Sequence, residues 1–187
     1  MKLLFAFLLV GLVPCAAQRT YYRDVQERAE SLAPYVPSPQ QIVDAMLGAA
    51  QVKSGELVYD LGCGDGRILI TAAQRHKAKG VGIELSERLA KAAMAKVNQL
   101  RLDDQIQIIH GNLLEVDLAP ADVVTIYLDT GSNDLLRPKL EKQLKTGARV
   151  VSHDFEVRGW KPASVDKIHV FNRHHTIYMY RMPPEKK

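Results

Sequence analysis

From residue 57 onward, short apolar runs alternate with stretches whose apolar residues recur every three or four positions. Leu57-Val58-Tyr59-Asp60-Leu61 reads as a buried strand, and a glycine-rich turn leads from it into a helical stretch, Arg67–His76. Gly80–Glu84 predicts a second strand. Ser86 then caps a helix with Leu89, Ala93, Val97 and Leu100 on one face. Gln105–Ile109 and Asp122–Leu128 are the third and fourth strands, a helix runs through Leu135, Leu136 and Leu140, and Gly147–Ser152 is the fifth strand. Val165–Phe171 and His175–Tyr180 predict a closing hairpin turned at Asn172-Arg173-His174. Strand alternating with helix implies a doubly wound, mostly parallel α/β sheet of seven strands. The last connection is too short for a parallel crossover, so the C-terminal hairpin is antiparallel.

Before this pattern the chain is different. Arg19–Leu32 is polar with scattered apolar residues, and Pro34, Pro37 and Pro39 break any helix there. Ser38 is placed to cap the next helix, with Pro39 in its first turn and Gln41 closing a capping box. Further upstream, Lys2 precedes an apolar run ending in Pro14-Cys15-Ala16-Ala17 and then polar Gln18. That order reads as a secretory signal peptide cut after Ala17, or as an uncleaved signal anchor. The division expected is therefore 1–17 as leader, 18–53 as an N-terminal helical lid, 54–182 as the main domain and 183–187 as a polar tail.

Composition narrows the classes without naming a partner. The chain has 187 residues, 47% hydrophobic and 25% charged, and a net charge of +4. That suits one globular domain. No Lys/Arg block forms a nucleic-acid stripe, and no nucleic-acid partner is expected. The two cysteines, Cys15 and Cys63, make no disulfide framework.

The chemistry concentrates at Asp60-Leu61-Gly62-Cys63-Gly64-Asp65-Gly66, between a strand and a helix. Open α/β sheets bind ligands at such a point. Gly62, Gly64 and Gly66 let the backbone turn tightly and approach a ligand. The helix N-terminus beyond them favours a carboxylate, and Asp60 can receive an ammonium group. Glu84, at the end of the second strand, can accept from two ribose hydroxyls. The dinucleotide fingerprint G-x-G-x-x-G requires glycine at position 67, where this chain has Arg67.

The order D-x-G-x-G-x-G, Glu84 and the terminal hairpin together resemble the class I S-adenosylmethionine-dependent methyltransferases. Pro34-Tyr35-Val36-Pro37-Ser38 is similar to the Pro-[Phe/Tyr]-Val-Pro-Thr segment of small protein-lysine methyltransferases. These include the archaeal broad-specificity enzymes and the mitochondrial enzyme acting on the ATP synthase c subunit. Val150–Phe155 and Gly159-Trp160-Lys161-Pro162 also look like this family, and the likeness covers roughly residues 34–182. The resemblance implies S-adenosyl-L-methionine as cofactor. It carries cofactor contacts onto Pro37, Asp60, Gly62, Cys63, Gly64, Asp65, Gly66, Glu84, Asn112, Leu113 and Tyr127. Asn112 would contact the adenine amino group, or it is a loop turn residue. Cys63 reads as a small spacer in a tight loop, with a nucleophile as the alternative.

There is no Asn-Pro-Pro-Tyr after the fourth strand, where the chain reads Ile126-Tyr127-Leu128-Asp129-Thr130. This points away from methyltransferases that grip a planar amide or amine. The implied reaction is in-line attack of a neutral lysine amine, which must first lose a proton. Tyr35, Tyr127 and Asp129 are the candidate catalytic residues. The tyrosines would wall a channel or be plain rim aromatics. Asp129 would accept a proton or be a solvated turn residue. His153 and Asp154 end the fifth strand on the ligand side, and Trp160 closes the substrate side or covers the sheet edge. The histidine spacings match no zinc signature, and no metal is expected. The acceptor expected is a protein lysine. A small molecule or lipid, or cofactor binding without turnover, are the alternatives. A membrane is expected to be touched only through the leader. The leader places the protein outside the cytoplasm or on a membrane, while the cytoplasmic cofactor favours a cytoplasm-facing domain.

Overall fold

The computed structural model describes residues 35–187. The leader and the first part of the expected lid, residues 1–34, lie outside the described residues. The elements in chain order are helix α1 (Gln40–Ala49), strand β1 (Leu57–Leu61), α2 (Arg67–His76), β2 (Lys79–Glu84), α3 (Glu87–Gln99), β3 (Ile106–His110) and β4 (Val123–Ile126). They continue with α4 (Thr130–Gln143), β5 (Arg149–His153), β6 (Trp160–Lys161), β7 (Ser164–Val170), β8 (Arg173–Arg181) and β9 (Glu185–Lys186).

Seven strands form one sheet in the order β3-β2-β1-β4-β5-β8-β7. β1 to β5 are mutually parallel, and β8 runs antiparallel to both β5 and β7. The expected mixed sheet with a reversed C-terminal hairpin is the fold observed. Side-chain alternation along each strand feeds two cores. Val58, Val123 and Val151 face α1, α2 and α3. Tyr59, Val124 and Val150 face Leu136 and Leu140 of α4. The chain leaves β1 toward β2 and β3, then returns to β4 on the other side of β1. The crevice at this reversal is bounded by residues 61–66 and 127–129, following β1 and β4.

Four expectations change. Within the described part of the expected lid, the helix α1 belongs to the core. α1 lays Ile42, Val43, Met46 and Leu47, all fully buried, into the core with Ile177 and Met179. Its apolar stripe can be buried only by packing on the sheet. Ser38 does not cap α1. The cap position is Pro39, whose carbonyl accepts from the Ile42 and Val43 amides, and no side chain joins it. The hairpin turn is Phe171-Asn172, both at positive φ, because β8 already starts at Arg173 opposite Val170. Finally, the polar tail ends in β9, paired with β6. Glu141 explains this attachment. Its Oε1 accepts from Trp160 Nε1 and from Lys186 Nζ, each at 2.6 Å. Trp160 is fully buried beside Tyr180 under α4, away from the crevice. Of the two readings of Trp160, the structure supports the covering one.

β2 carries Gly80-Val81-Gly82 because α2 and the loop after β1 press against it. A Cβ at position 82 would lie 2.7 Å from Cys63 Sγ, 2.8 Å from Leu69 Cδ1 and 2.9 Å from Ile108 Cδ1. Three neighbours would have to move together in a close-packed interior. Gly82→Ala is therefore expected to destabilise the protein by about 1–3 kcal/mol, read as a lower urea midpoint. An unchanged midpoint would show that this contact is loose.

Candidate active site

The glycine loop is built by backbone bonds to β2. The Gly62 and Cys63 amides donate to the Ile83 carbonyl at 2.8 and 3.0 Å, and the Gly66 amide closes a turn onto the Cys63 carbonyl. Gly64 shows why glycine is needed. Its φ is +54°, and an added Cβ would collide with the ring of Tyr35, which lies directly over it. Tyr35 thus crosses the loop that the sequence assigned to a ligand. Pro37, two residues on, is exposed on the same segment.

Asp60 is buried at the end of β1, 3% exposed. Its Oδ1 accepts from Thr125 Oγ1 at 2.7 Å. Burial pushes its carboxyl up to about 7, against the lowering effect of the Thr125 bond. Glu84 is also buried, and the amides of Gly64 and Ser86 donate to its two oxygens at 2.8 and 2.9 Å. Two backbone donors hold the carboxylate at the strand end and leave lone pairs for further donors.

Asp65 is engaged differently. Its carboxylate accepts from Arg67 Nε and Nη2, both at 2.9 Å, and lies 3.5 Å from Lys96 Nζ. Burial alone would raise its pKa, but the bonds and charge of Arg67 outweigh it and hold the carboxyl below its usual range. Asp65 thereby braces the loop against the start of α2. Cys63 is buried against the face of β2 at Gly82, and burial raises its thiol pKa strongly. A thiol so protonated is a poor nucleophile, which fits the spacer reading. Asn112 Oδ1 accepts from the Leu114 amide at 2.9 Å, a turn-forming bond, and Leu113 is buried in the core facing α4.

The far side of the crevice is a polar cluster. Tyr127 follows β4 with its ring 3.8 Å, centroid to centroid, from that of His153. Its hydroxyl donates to Asp154 Oδ2 at 3.5 Å, and burial raises its pKa, keeping it a phenol. His153, fully buried, lies with Nε2 2.8 Å from His175 Nδ1 and Nδ1 2.9 Å from Ser38 Oγ. Burial pushes its pKa down to about 4, so the ring is neutral. Asp154 Oδ2 also accepts from Arg173 Nη2 at 2.8 Å, and its Oδ1 from the Thr176 amide. His153, Asp154 and His175 bring one donor atom each within 4.8 Å of one another. The Arg173 guanidinium already neutralises the carboxylate of that set. Asp129 is exposed and caps α4, its Oδ1 accepting from the Ser132 amide at 2.8 Å. That bond lowers its pKa, which makes it a weak base. The structure thus places Asp129 as the cap of α4, Tyr35 over the glycine loop and Tyr127 against His153.

Four participants were not singled out as site residues from the sequence: Thr125, the Ser38 side chain, Arg173 and His175. Asp60 and Thr125 are register partners on adjacent strands, 65 residues apart. Ser38 and His153 are 115 apart. Only the strand order brings these groups together.

Residues 60–164 match the family model described as the ANTKMT methyltransferase domain. A protein-lysine N-methyltransferase of Saccharolobus islandicus is 48% identical over 148 residues, 79% of this chain and 92% of that protein. The chain belongs to the ANTKMT methyltransferase family. The adenine nucleotide translocase lysine N-methyltransferase of Mus musculus is 32% identical over 71% of this chain, which spans only 57% of that protein. Among solved structures, an RNA methyltransferase from Salinibacter ruber in complex with S-adenosyl-L-homocysteine superposes with a TM-score of 0.75. It is 41% identical, covering 81% of this chain and 97% of that one.

The protein is thus an S-adenosylmethionine-dependent methyltransferase. When bound, S-adenosylmethionine supplies a methyl group activated by its positive sulfur. The residues present fit it. Asp60 is a buried carboxyl group whose raised pKa marks the want of a cationic partner, and Glu84, held by two backbone amides at the end of the next strand, keeps lone pairs for hydroxyl donors. Without that partner Asp60 should oppose folding. Its contribution is favourable below the unfolded value near 3.8 and is lost as pH rises through about 7. Asp60→Asn should therefore stabilise the cofactor-free protein at pH 8, by about 1–3 kcal/mol in urea unfolding, while abolishing S-adenosylhomocysteine binding. A variant that binds normally would remove Asp60 from the site.

Proposed function

We propose that the protein methylates the ε-amine of lysine in a protein acceptor. The observation that carries this reading is the Saccharolobus islandicus relative, named a protein-lysine N-methyltransferase, which matches 79% of this chain across 92% of its own length. The crevice chemistry supports it. A lysine ammonium, pKa ≈ 10.4 in water, must lose a proton before its nitrogen can attack. Tyr35 lies over the glycine loop and Tyr127 on the facing wall. Exclusion of water around the amine as it enters between them would disfavour its charged form and bring its pKa down. Tyr127 donates its hydroxyl proton to Asp154, which leaves oxygen lone pairs to accept an N–H of the amine and turn its own lone pair toward the methyl group. The amine proton leaves to water. The contribution of the chain is alignment and desolvation.

The rim suits a macromolecule. β8 runs past the end of β5, whose last register pair is His153 with Ile177. The hairpin tip therefore projects on the same side as the crevice. Phe171 at that tip is 87% exposed, and Arg173, two residues on, reaches Asp154. The likeness to the Salinibacter ruber protein makes RNA the second acceptor class to test.

We also propose that residues 1–17 deliver the chain to or through a membrane. Among the described residues no helix is long and apolar enough to cross a membrane. Sequencing the mature N-terminus after cell fractionation tests this. A start at Gln18 supports cleavage, and an intact leader in the membrane fraction supports an anchor.

The acceptor is tested by incubating the purified protein with methyl-labelled S-adenosylmethionine and cell extract. Label recovered as methyl-lysine after acid hydrolysis of protein is the expected result. Label removed by ribonuclease, label only in small extractable molecules, or cofactor binding without transfer would each overturn the lysine reading. Phe171→Ser should raise the KM for the protein acceptor about fivefold with S-adenosylhomocysteine affinity unchanged.

A further inference from the structure

Ser38 is held from two directions. Its backbone carbonyl accepts from Arg67 Nη1 at 2.9 Å, and Arg67 is locked to Asp65 inside the glycine loop. Its side-chain oxygen meets Nδ1 of His153, at the end of β5, at 2.9 Å. Three residues earlier on the same segment, Tyr35 covers Gly64. Two residues later α1 begins, and it takes no cap from Ser38. The hydroxyl is therefore not needed to start the helix.

His153 is the other half of the junction. It is fully buried, with both ring nitrogens in contact with polar side chains, Ser38 Oγ and His175 Nδ1. Asp154 lies 3.3 Å from that same His175 nitrogen and is itself held by Arg173 and the Thr176 amide. The imidazole is thereby fixed in position, and Tyr127 packs on its face. Buried polar groups cost stability unless every partner is in place, and a chain of them specifies one arrangement. This chain runs from the glycine loop through Ser38 to the wall carrying Tyr127.

We propose that Ser38 and His153 form a clasp that closes the Tyr35–Ser38 segment over the cofactor loop and sets Tyr127 on the opposite wall. Both are positioning residues, acting through Tyr35 and Tyr127. The clasp rests on the methyl-transfer site and not on the identity of the acceptor. It couples the two halves of the crevice, so loosening it weakens cofactor binding as well as turnover.

The test uses the full chain and calorimetric titration with S-adenosylhomocysteine. Ser38→Val keeps the volume of threonine and removes the hydroxyl, whereas Ser38→Thr restores it. Ser38→Val is expected to weaken binding about tenfold and Ser38→Thr to recover it to within about threefold. With His153→Phe already present, adding Ser38→Val should cost no more than about twofold further, since the bond is already gone. Normal affinity in folded Ser38→Val would overturn the clasp. So would an equal loss in Ser38→Thr, which marks simple packing, or fully additive losses in the double variant. Should Ser38→Val not fold, Ser38→Ala replaces it in the same comparison, with the same outcomes. A turnover assay with the labelled cofactor adds a second readout. The clasp requires kcat to fall in Ser38→Val at saturating cofactor, and a change confined to the KM for cofactor would contradict the coupling to Tyr127.

Discussion

A carboxylate with almost no water around it sets the terms for this molecule. Asp60 sits at the end of a central strand, where, among the described residues, its close side-chain donor is the Thr125 hydroxyl. One neutral hydrogen bond does not replace the hydration a carboxylate loses on burial. The chain can hold Asp60 there because β1 lies between β2 and β4 at the point where the winding reverses, and that position is also where a ligand enters. The unfavourable burial becomes favourable once a cation arrives. A site that destabilises the empty protein and is relieved by its ligand is a common compromise between stability and function.

The rest of the crevice follows from placing backbone close to that carboxylate. Glu84 is held by two amides and ends the neighbouring strand, while Gly80 and Gly82 let β2 approach α2 and the loop. The polar cluster beside Tyr127 is built by the other half of the sheet. There the reversed β8 carries His175 beside His153 and Asp154. The antiparallel hairpin therefore supplies polar groups to that cluster as well as an edge. Both halves meet at Ser38, which precedes the first core helix and would otherwise be a simple turn.

The cofactor half was largely legible in the sequence because its parts are local. Asp60, three glycines and a helix start lie within eight residues, and Glu84 follows after one further helix. The fold was legible for a similar reason, since apolar runs and periodic stretches alternate cleanly. The polar cluster beside Tyr127 was not. His153 and Asp154 could be placed at a strand end, but their partners come from residues 38, 127, 173 and 175, joined only by the strand order. A serine before a periodic stretch is ordinarily a cap, and nothing local reveals that the Ser38 hydroxyl turns to a histidine 115 residues away. Asp129 also serves as a helix cap, its carboxylate accepting from the Ser132 amide three residues on, a role that its place before a periodic stretch makes legible. The attachment of the polar tail is not legible locally, because it depends on Glu141 meeting Trp160 and Lys186 together.

The central claim is that Asp60 waits protonated for a cationic ligand and ionises when it binds. Calorimetric titration with S-adenosylhomocysteine at pH 6.5, in buffers of different ionisation enthalpy, counts the protons exchanged. With the Asp60 pKa raised to about 7 in the free protein, binding should release a sizeable fraction of one proton at pH 6.5 and almost none at pH 9. The same titration of Asp60→Asn should give no binding heat. Tight binding to the wild-type chain with no proton release at pH 6.5 would contradict the account.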